Sequence, residues 1–323
     1  MKYVAITIKG LEDIAIKEVK EIIKAEAKKI VIGRIQFETK DIKKLIENTR
    51  SIIKIYELYE KKKFSTIDEI SELVKKKKLK IEKPFKISCH REGEHDFNSQ
   101  IVEQTIGKEI DGKHDLKNPE LIIFADIIDN LFICGLDLTP KLLSKRDYRI
   151  KICNQSINAC IAYSMVRLSS YKKGKNLLDP FCKDGVIPIE AILYQKGKVY
   201  AYDSLFHNIR STEINAKLAK INKELNLSRT DIEWLDSKFK KEEVDCIVTT
   251  IPFPSKHFTE KNAQKIYEQF LYQLEFILKK NAKAVIIGQN LSTFKEMLSS
   301  FKIKESREIT TGGLKQEIVV FTK

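Results

Sequence analysis

The chain has 323 residues, 42% of them hydrophobic, so it is long enough for two or more domains with buried cores. No apolar run approaches the roughly 20 residues of a membrane span, and the first residues lack a signal-peptide core, so we expect a cytoplasmic protein without a membrane segment. Six scattered cysteines form no C-x-x-C pair, so neither a disulfide framework nor a metal site is predicted.

The formal charge of +14 is spread over both halves of the chain. Excess positive charge suits a polyanionic partner, and nucleic acid is the leading candidate. A general bias toward lysine in the source proteome would give the same balance, so charge alone leaves both interpretations open.

The first 62 residues predict a small ferredoxin-like domain with the order β-α-β-β-α-β. The predicted elements are a strand at Tyr3–Ile8, a helix at Leu11–Ala27, a second strand at Ile30–Phe37 that is broken at Gly33, a helix capped by Asp41, and a β-rich segment at Ile52–Glu60.

Residues 63–140 predict a second α+β module. Its elements are a helix at Thr66–Lys75, a strand at Phe85–Cys89, a polar turn at Arg91–Asp96, a helix at Ser99–Ile110, and paired strands at Leu121–Asp126 and Asn130–Leu136. Three strings in this order, GEHDFNS, DLKNPELIIFADI and FICGLDLT, followed by LSKRDYR in a linker at 141–153, resemble a THUMP domain and its exit. The resemblance implies binding to the acceptor end of tRNA. The RNA-binding candidates are Arg91, His95, Asn98, Lys145, Arg146 and Arg149.

Residues 154–323 alternate strands with helices, which predicts a doubly wound, mostly parallel sheet closed by an antiparallel hairpin around Gly312-Gly313. The predicted strands are Leu177-Leu178, Lys198–Tyr202, Asp231–Leu235, Asp245–Thr250, Ala282–Gly288, Lys302–Ile309 and Gln316–Phe321. The predicted helices are Ile157–Ser169, one that opens near Asp184, Phe206–Ile221, Lys261–Leu278 and Ser292–Ser300.

The stretch NLLDPFCKDGVIPIE, Asn176–Glu190, predicts a buried strand, a tight turn and a helix N-terminus. Backbone N–H groups at such a helix start can hold an anionic ligand. Acids are expected at three successive strand ends, with Asp179 after the first, Asp203 after the second and Asp236 after the third. The spacing of Asp179 and Asp203 suits an acid that reaches ribose hydroxyls, whereas Asp236 is placed to contact an adenine amino group. Each acid could instead be an ordinary turn or loop residue.

The fourth strand of this domain ends in TTIPFPSKH, Thr249–His257, which resembles the (N/D)-P-P-(Y/F) loop of amino-methyltransferases. The region from Asn154 onward, including NQSINACIAYSM, resembles the archaeal THUMP-containing tRNA guanine-N2 methyltransferases. This resemblance implies a Rossmann-like fold, S-adenosylmethionine as cofactor, and Asp179, Phe181, Lys183, Gly185, Asp203 and Asp236 as its binding residues. It also implies that Thr250, Ile251, Pro252 and Phe253 orient the target amine and stack the base.

Four positions depart from the family pattern. Lys183 and Asp184 stand where the family has small residues, Thr250 replaces its Asn or Asp, and Pro254 replaces a glycine. Lysine adopts a positive φ less easily than glycine, and Asp184 would place negative charge near the cofactor carboxylate. A catalytically degenerate tRNA-binding protein, acting as scaffold or partner subunit, is therefore the alternative. A DNA adenine methyltransferase is a third reading, which the THUMP resemblance disfavours.

Overall fold

The computed structural model describes residues 1–255 and 258–323 and divides them into two compact units, Met1–Thr7 with Ala15–Leu143, and Ile8–Ile14 with Ser144–Lys323. Lys256 and His257, the last residues of the TTIPFPSKH motif, lie outside the described residues. No helix in the described ranges has the length and apolar character needed to cross a membrane.

The first unit is built on one eight-stranded sheet. Its strands are β1 (Lys2–Thr7), β2 (Ala27–Val31), β3 (Arg34–Glu38), β4 (Ile52–Lys63), β5 (Lys80–Glu92), β6 (Asp111–His114), β7 (Leu121–Ile128) and β8 (Leu131–Asp137), in the spatial order β2-β3-β1-β4-β8-β7-β5-β6. The helices are α1 (Glu12–Ile23), α2 (Ile42–Asn48), α3 (Ile67–Lys77) and α4 (Ser99–Lys108). The first residues of α1, up to Ile14, belong to the second unit. The predicted β-α-β-β-α-β order is confirmed, but α1 is shorter than expected because β2 already begins at Ala27.

The strand β4 belongs to both predicted modules. It pairs antiparallel with β1 on one side and with β8 on the other. A buried ion pair also links the modules, since Arg34 on β3 donates to Asp126 on β7 through Nε (2.5 Å) and Nη2 (2.9 Å). The tyrosine hydroxyl of Tyr56 donates to the same carboxylate at 3.0 Å.

The second unit contains a seven-stranded sheet flanked by helices. Its strands are β9 (Asn176–Asp179), β10 (Lys198–Asp203), β11 (Leu225–Arg229), β12 (Val244–Thr250), β13 (Leu278–Gly288), β14 (Lys302–Thr311) and β15 (Leu314–Thr322), ordered β11-β10-β9-β12-β13-β15-β14. Its helices are α5 (Ala159–Leu168), α6 (Val186–Tyr194), α7 (Phe206–Leu218), α8 (Leu235–Lys238), α9 (Glu260–Ile277) and α10 (Ser292–Glu296). The first five strands pair in parallel, and β15 runs antiparallel between β13 and β14. The predicted mostly parallel sheet with a terminal hairpin is confirmed.

One predicted strand is wrong. The third strand of this sheet is β11 at Leu225–Arg229, whereas the predicted segment Asp231–Leu235 holds a 3-10 turn at Ile232–Trp234 that runs into α8. Within that segment Ile232 and Leu235 are buried, and their three-residue spacing places them on one face of a helical turn. The strand order reverses between β9 and β12, which puts the expected ligand crevice at the carboxyl ends of these two strands.

Candidate functional site

A cleft of about 760 Å³ lies at the carboxyl ends of β9, β10 and β12. We call it the main cleft. Its walls include Phe181 and Lys183 from the turn after β9, Asp203 at the end of β10, and Pro252 and Phe253 from the loop after β12. The volume is within the range of small-molecule and cofactor sites. Five of the residues singled out from the sequence therefore converge on one concave surface.

The turn after β9 presents a lysine side chain to the main cleft. Lys183 has a left-handed backbone (φ 52°), the conformation that the sequence suggested lysine would resist. Two hydrogen bonds hold it there, because its N–H donates to Asp203 Oδ2 at 3.1 Å and its carbonyl accepts from Thr212 Oγ1 at 3.0 Å. Burial lowers the pKa of the ammonium to about 8, against the opposing pull of nearby carboxylates including Asp179.

Helix α6 begins one residue later than predicted. Gly185 is the N-cap residue (φ 79°), and the Asp184 carboxylate accepts from the N–H of Val186 at 3.4 Å. A Cβ on Gly185 would come within 2.6 Å of the Thr212 side chain, so glycine is required by both conformation and space. The turn is thus packed closely against α7.

The Asp184 carboxylate does not reach the main cleft. It is fully buried and accepts from the Arg149 guanidinium at 2.8 and 3.1 Å and from the Ser156 hydroxyl at 2.6 Å. The expected repulsion of an anionic ligand by Asp184 is therefore wrong, because its charge is compensated inside the domain. The same contact argues against Arg149 as a phosphate ligand.

Arg146 is also engaged within the domain. Its Nε donates to the fully buried carboxylate of Glu190 at 2.9 Å, and the Tyr148 hydroxyl donates to the same oxygen at 2.7 Å. Burial lowers the pKa of the Arg146 guanidinium, but the charge of Glu190 more than offsets this and the net shift is upward. This internal contact argues against the predicted phosphate contact of Arg146. Lys145, in contrast, is exposed.

The remaining RNA-binding candidates lie in the first unit and make local contacts. Arg91 Nη1 is 2.8 Å from His95 Nδ1, and His95 Nε2 is 2.7 Å from the carbonyl oxygen of Asp129. Asn98 is the N-cap of α4, with its Oδ1 accepting from the N–H of Ile101 at 3.0 Å. These contacts order the turn before α4 and leave Asn98 Nδ2 at an exposed position.

Asp179 and Asp203 differ in environment although both end a strand. Asp179 is 1% exposed, accepts from the Thr249 hydroxyl (2.6 Å) and the N–H of Phe181 (3.2 Å) at Oδ1, and has a buried Oδ2 without a hydrogen-bond partner among the described residues. Burial raises its pKa to about 7. Asp203 lines the main cleft, and its Oδ1 accepts from the N–H of Leu205 and from Asn208 Nδ2, both at 3.0 Å.

Asp236 does not follow the third strand. It is an exposed residue of α8 that does not line the main cleft, and its N–H donates to Gln273 Oε1 at 2.8 Å. The acid that follows β11 is Asp231, which lines a side hollow of about 320 Å³ that shares Phe181, Ser204 and Phe258 with the main cleft. Correct placement of β11 would have identified Asp231 from the sequence.

The loop after β12 presents its aromatic ring, not its threonine, to the main cleft. Thr250 is 3% exposed and Ile251 is fully buried, and neither lines the main cleft. The Pro252 carbonyl accepts from the Tyr267 hydroxyl at 2.8 Å, which anchors the loop to α9. Phe253 is 9% exposed and lines the main cleft.

These residues fit S-adenosylmethionine. The ammonium of Lys183 matches the carboxylate of a methionine moiety, and Asp203 Oδ2 retains accepting capacity for a hydroxyl. The unpartnered Oδ2 of Asp179 suits an amino group, but it is buried and does not line the main cleft. The side hollow beside Phe181 can take an apolar ring with a polar edge at Asp231.

Both modules of the chain have counterparts among known proteins. A THUMP-domain model matches residues 61–137, and the UPF0020 model, described as an RMKL-like methyltransferase domain, matches residues 146–316. The tRNA (guanine(6)-N2)-methyltransferase of Archaeoglobus fulgidus is 27% identical, with 99% of this chain and 92% of that protein covered. The protein of the same name from Methanocaldococcus jannaschii is 26% identical, with 76% and 77% covered.

Among solved structures, TrmN from Thermus thermophilus superimposes with a TM-score of 0.83 at 22% identity, covering 100% of this chain and 99% of that one. That likeness supports the fold. Because the UPF0020 model spans more than half of the chain, this chain belongs to the UPF0020 family of RMKL-like methyltransferase domains, here joined to a THUMP domain.

Proposed function

We propose that this protein is an S-adenosylmethionine-dependent tRNA methyltransferase that modifies the exocyclic N2 amine of guanine. The observation that carries the proposal is the main cleft, where Lys183 and Asp203 meet the Phe253 loop in a methyltransferase domain that follows a THUMP domain. Relatives that align with most of the chain are named for guanine at position 6, which we take as the target nucleotide.

The cofactor-binding roles follow from the chemistry of each group. Asp179 binds the amino group, Lys183 the carboxylate, Asp203 the ribose hydroxyls, and Asp231 in place of Asp236 the adenine edge. Gly185 keeps the start of α6 close to the ligand, and Phe181 covers the adenine face. When bound, S-adenosylmethionine supplies an electrophilic methyl group on a sulfonium.

On the acceptor side, Phe253 stacks the target base, because aromatic side chains commonly hold bases that have left the helical stack. The backbone carbonyl of Ile251 is the proposed acceptor of a hydrogen bond from the target amine, which orients the nitrogen lone pair. Because Ile251 is fully buried, the loop after β12 has to shift on base binding to expose this carbonyl. Thr250 and Pro252 hold the loop in place, since the first is buried in β12 and the second is anchored by Tyr267. Catalysis is then chiefly a matter of positioning the two reactants.

The THUMP domain binds the acceptor end of the tRNA in this proposal. Arg91 and the exposed Lys145 are the strongest remaining phosphate contacts, with His95 and Asn98 ordering the turn beside them. We place the protein in the cytoplasm.

The degenerate alternative rests on Thr250, whose hydroxyl is buried where the family pattern has an amide or carboxylate. In that case the protein would bind tRNA without transferring a methyl group. Two measurements separate the two functions: transfer of labelled methyl from S-adenosylmethionine to an unmodified tRNA transcript, and calorimetric binding of S-adenosylhomocysteine. The enzyme requires both to succeed. Binding of tRNA with neither cofactor binding nor transfer would establish the scaffold instead.

A further inference from the structure

A second hollow, of about 290 Å³, lies against the Phe253 residue that also lines the main cleft. We call it the amide hollow. Its lining includes Gln155 from the segment before α5, Gln289 just after β13, and Gln316 on β15. Phe253 and Gln155 line both spaces, so the two spaces adjoin.

The lining of the amide hollow is uncharged and mixes amide and hydroxyl side chains with the apolar side chains of Ile157, Ile161, Phe253 and Leu314. None of its described lining residues is an acid, a lysine, an arginine or a histidine. The side-chain amides of Gln155, Gln289 and Gln316 make no hydrogen bond to other residues in the described part of the chain. Gln155 is exposed and the other two are half-buried, so all three amides are open to solvent or to a ligand. The Thr311 hydroxyl, on the same wall, is buried without a partner within those limits.

Unpaired amides around a small space suit a neutral planar ligand with neighbouring donors and acceptors. A carboxamide offers a donor and an acceptor side by side, which matches the N1–H and O6 edge of guanine. A phosphate would instead require cations or a helix N-terminus. The chemistry of the lining therefore favours a nucleobase over a backbone phosphate.

We propose that the amide hollow receives the target guanine and that Gln289 and Gln316 recognise its Watson–Crick edge. This inference rests on the proposed function, because it assumes that guanine is the substrate. It places the substrate on the opposite side of Phe253 from the cofactor. Reacting atoms must approach to roughly 3–3.5 Å, and only a space that adjoins the main cleft satisfies this condition.

The test uses the full-length protein and the double variant Gln289→Ala/Gln316→Ala. The matched control is Gln195→Ala, at the end of α6 in the same domain and outside both spaces. A tRNA transcript that keeps guanine at position 6 and carries 2-aminopurine at the neighbouring position becomes more fluorescent when the guanine leaves the stack, whether or not a methyl group is transferred. We expect a fluorescence rise with the wild type and the control and its loss in the double variant.

Methyl transfer to the guanine transcript provides the second readout. Loss of edge recognition lowers kcat/KM roughly tenfold to a hundredfold, while the affinity for S-adenosylhomocysteine stays unchanged. Equal fluorescence in wild type and double variant, no rise in the wild type, or a parallel loss of cofactor affinity would overturn the inference. A wild-type rise that the double variant loses, without any methyl transfer, would support the inference and reject the proposed activity alone.

Discussion

The carboxylate of Asp184 is fully buried and is held by the guanidinium of Arg149 at 2.8 Å. These two residues are far apart in the chain, and each looked functional in the sequence, one as an RNA contact and the other as an obstacle to the cofactor. Their pairing makes them a structural element that fastens the linker to the start of α6.

Removal of one member of this pair leaves a buried charge without compensation. We expect Asp184→Ala to lower the free energy of unfolding by about 3–5 kcal/mol, measured by urea denaturation. The double variant Arg149→Met/Asp184→Ala should lose less than the sum of the single changes, because no charge is left behind. Lys145→Ala, on the exposed surface, serves as control, and an equally large effect there would contradict the assignment.

The raised pKa of Asp179 predicts how the stability of the fold changes with pH. Burial raises this pKa from 3.8 to about 7, with Asp203 adding to the rise, while hydrogen bonds from Thr249 and Phe181 and the charge of Lys183 oppose it. The folded state then binds a proton that the unfolded state has released, so the stabilising contribution is complete below about pH 4 and is lost as the pH rises to about 7.

Comparison with Asp179→Asn isolates this contribution. The difference in unfolding free energy, wild type minus variant, should fall between about pH 4 and about pH 7 and then level off. Asp96→Asn, at an exposed turn, should show no such trend. A difference that stays constant across this range would show that the Asp179 carboxyl is ionised throughout.

We predict that Lys183 contributes to the binding of ligands that carry a carboxylate but not to the binding of ligands that lack one. Lys183→Gln should weaken the binding of S-adenosylhomocysteine roughly tenfold to a hundredfold, because a charge-assisted hydrogen bond is lost. Binding of 5′-methylthioadenosine, which lacks the amino acid moiety, should remain within about twofold, as its contacts lie elsewhere. Equal weakening of both ligands in calorimetry would mean that the substitution disturbs the turn instead.

The buried position of Thr250 predicts a small effect where the family pattern suggests a large one. Thr250→Val, which keeps the shape and removes the hydroxyl, should leave methyl transfer within about threefold, because the Ile251 carbonyl is the proposed acceptor. Loss of a catalytic polar group would instead lower the rate by about 10²–10³. Phe253→Ala is the contrasting variant and should lose roughly tenfold to a hundredfold in kcat/KM through lost stacking.

Strands and helices with a clear hydrophobic periodicity were predictable from the sequence, but the strand β11 was not. The parallel-sheet architecture follows from alternating apolar strands and amphipathic helices, and those elements appear where expected. β11 has the polar sequence LNLSR at the sheet edge, whereas the neighbouring DIEWL carries more apolar residues, so periodicity selected the wrong segment. The displacement of the predicted strand by six residues from β11 also moved the third acid from Asp231 to Asp236.

The burial and the distant partners of side chains account for the other differences between the predicted and the observed site. Arg146, Arg149 and Asp184 have the composition of a ligand-binding surface, but burial and distant partners decide their role, and neither can be read from local sequence. The positive φ of Lys183 likewise depends on hydrogen bonds to Asp203 and Thr212, which are brought close only by the folded sheet. Acids at the ends of β9 and β10 were predictable because strand ends fix their position whatever their partners.

The ferredoxin-like and THUMP modules share strand β4, which pairs with β1 on one edge and with β8 on the other. Cutting the chain near residue 62 would therefore strip a neighbour from two strands and break the buried pair of Arg34 and Asp126. The two modules should melt in a single cooperative transition and resist exchange with counterparts from other proteins. Chimeras that transfer RNA recognition between relatives must accordingly carry the whole eight-stranded sheet as one cassette.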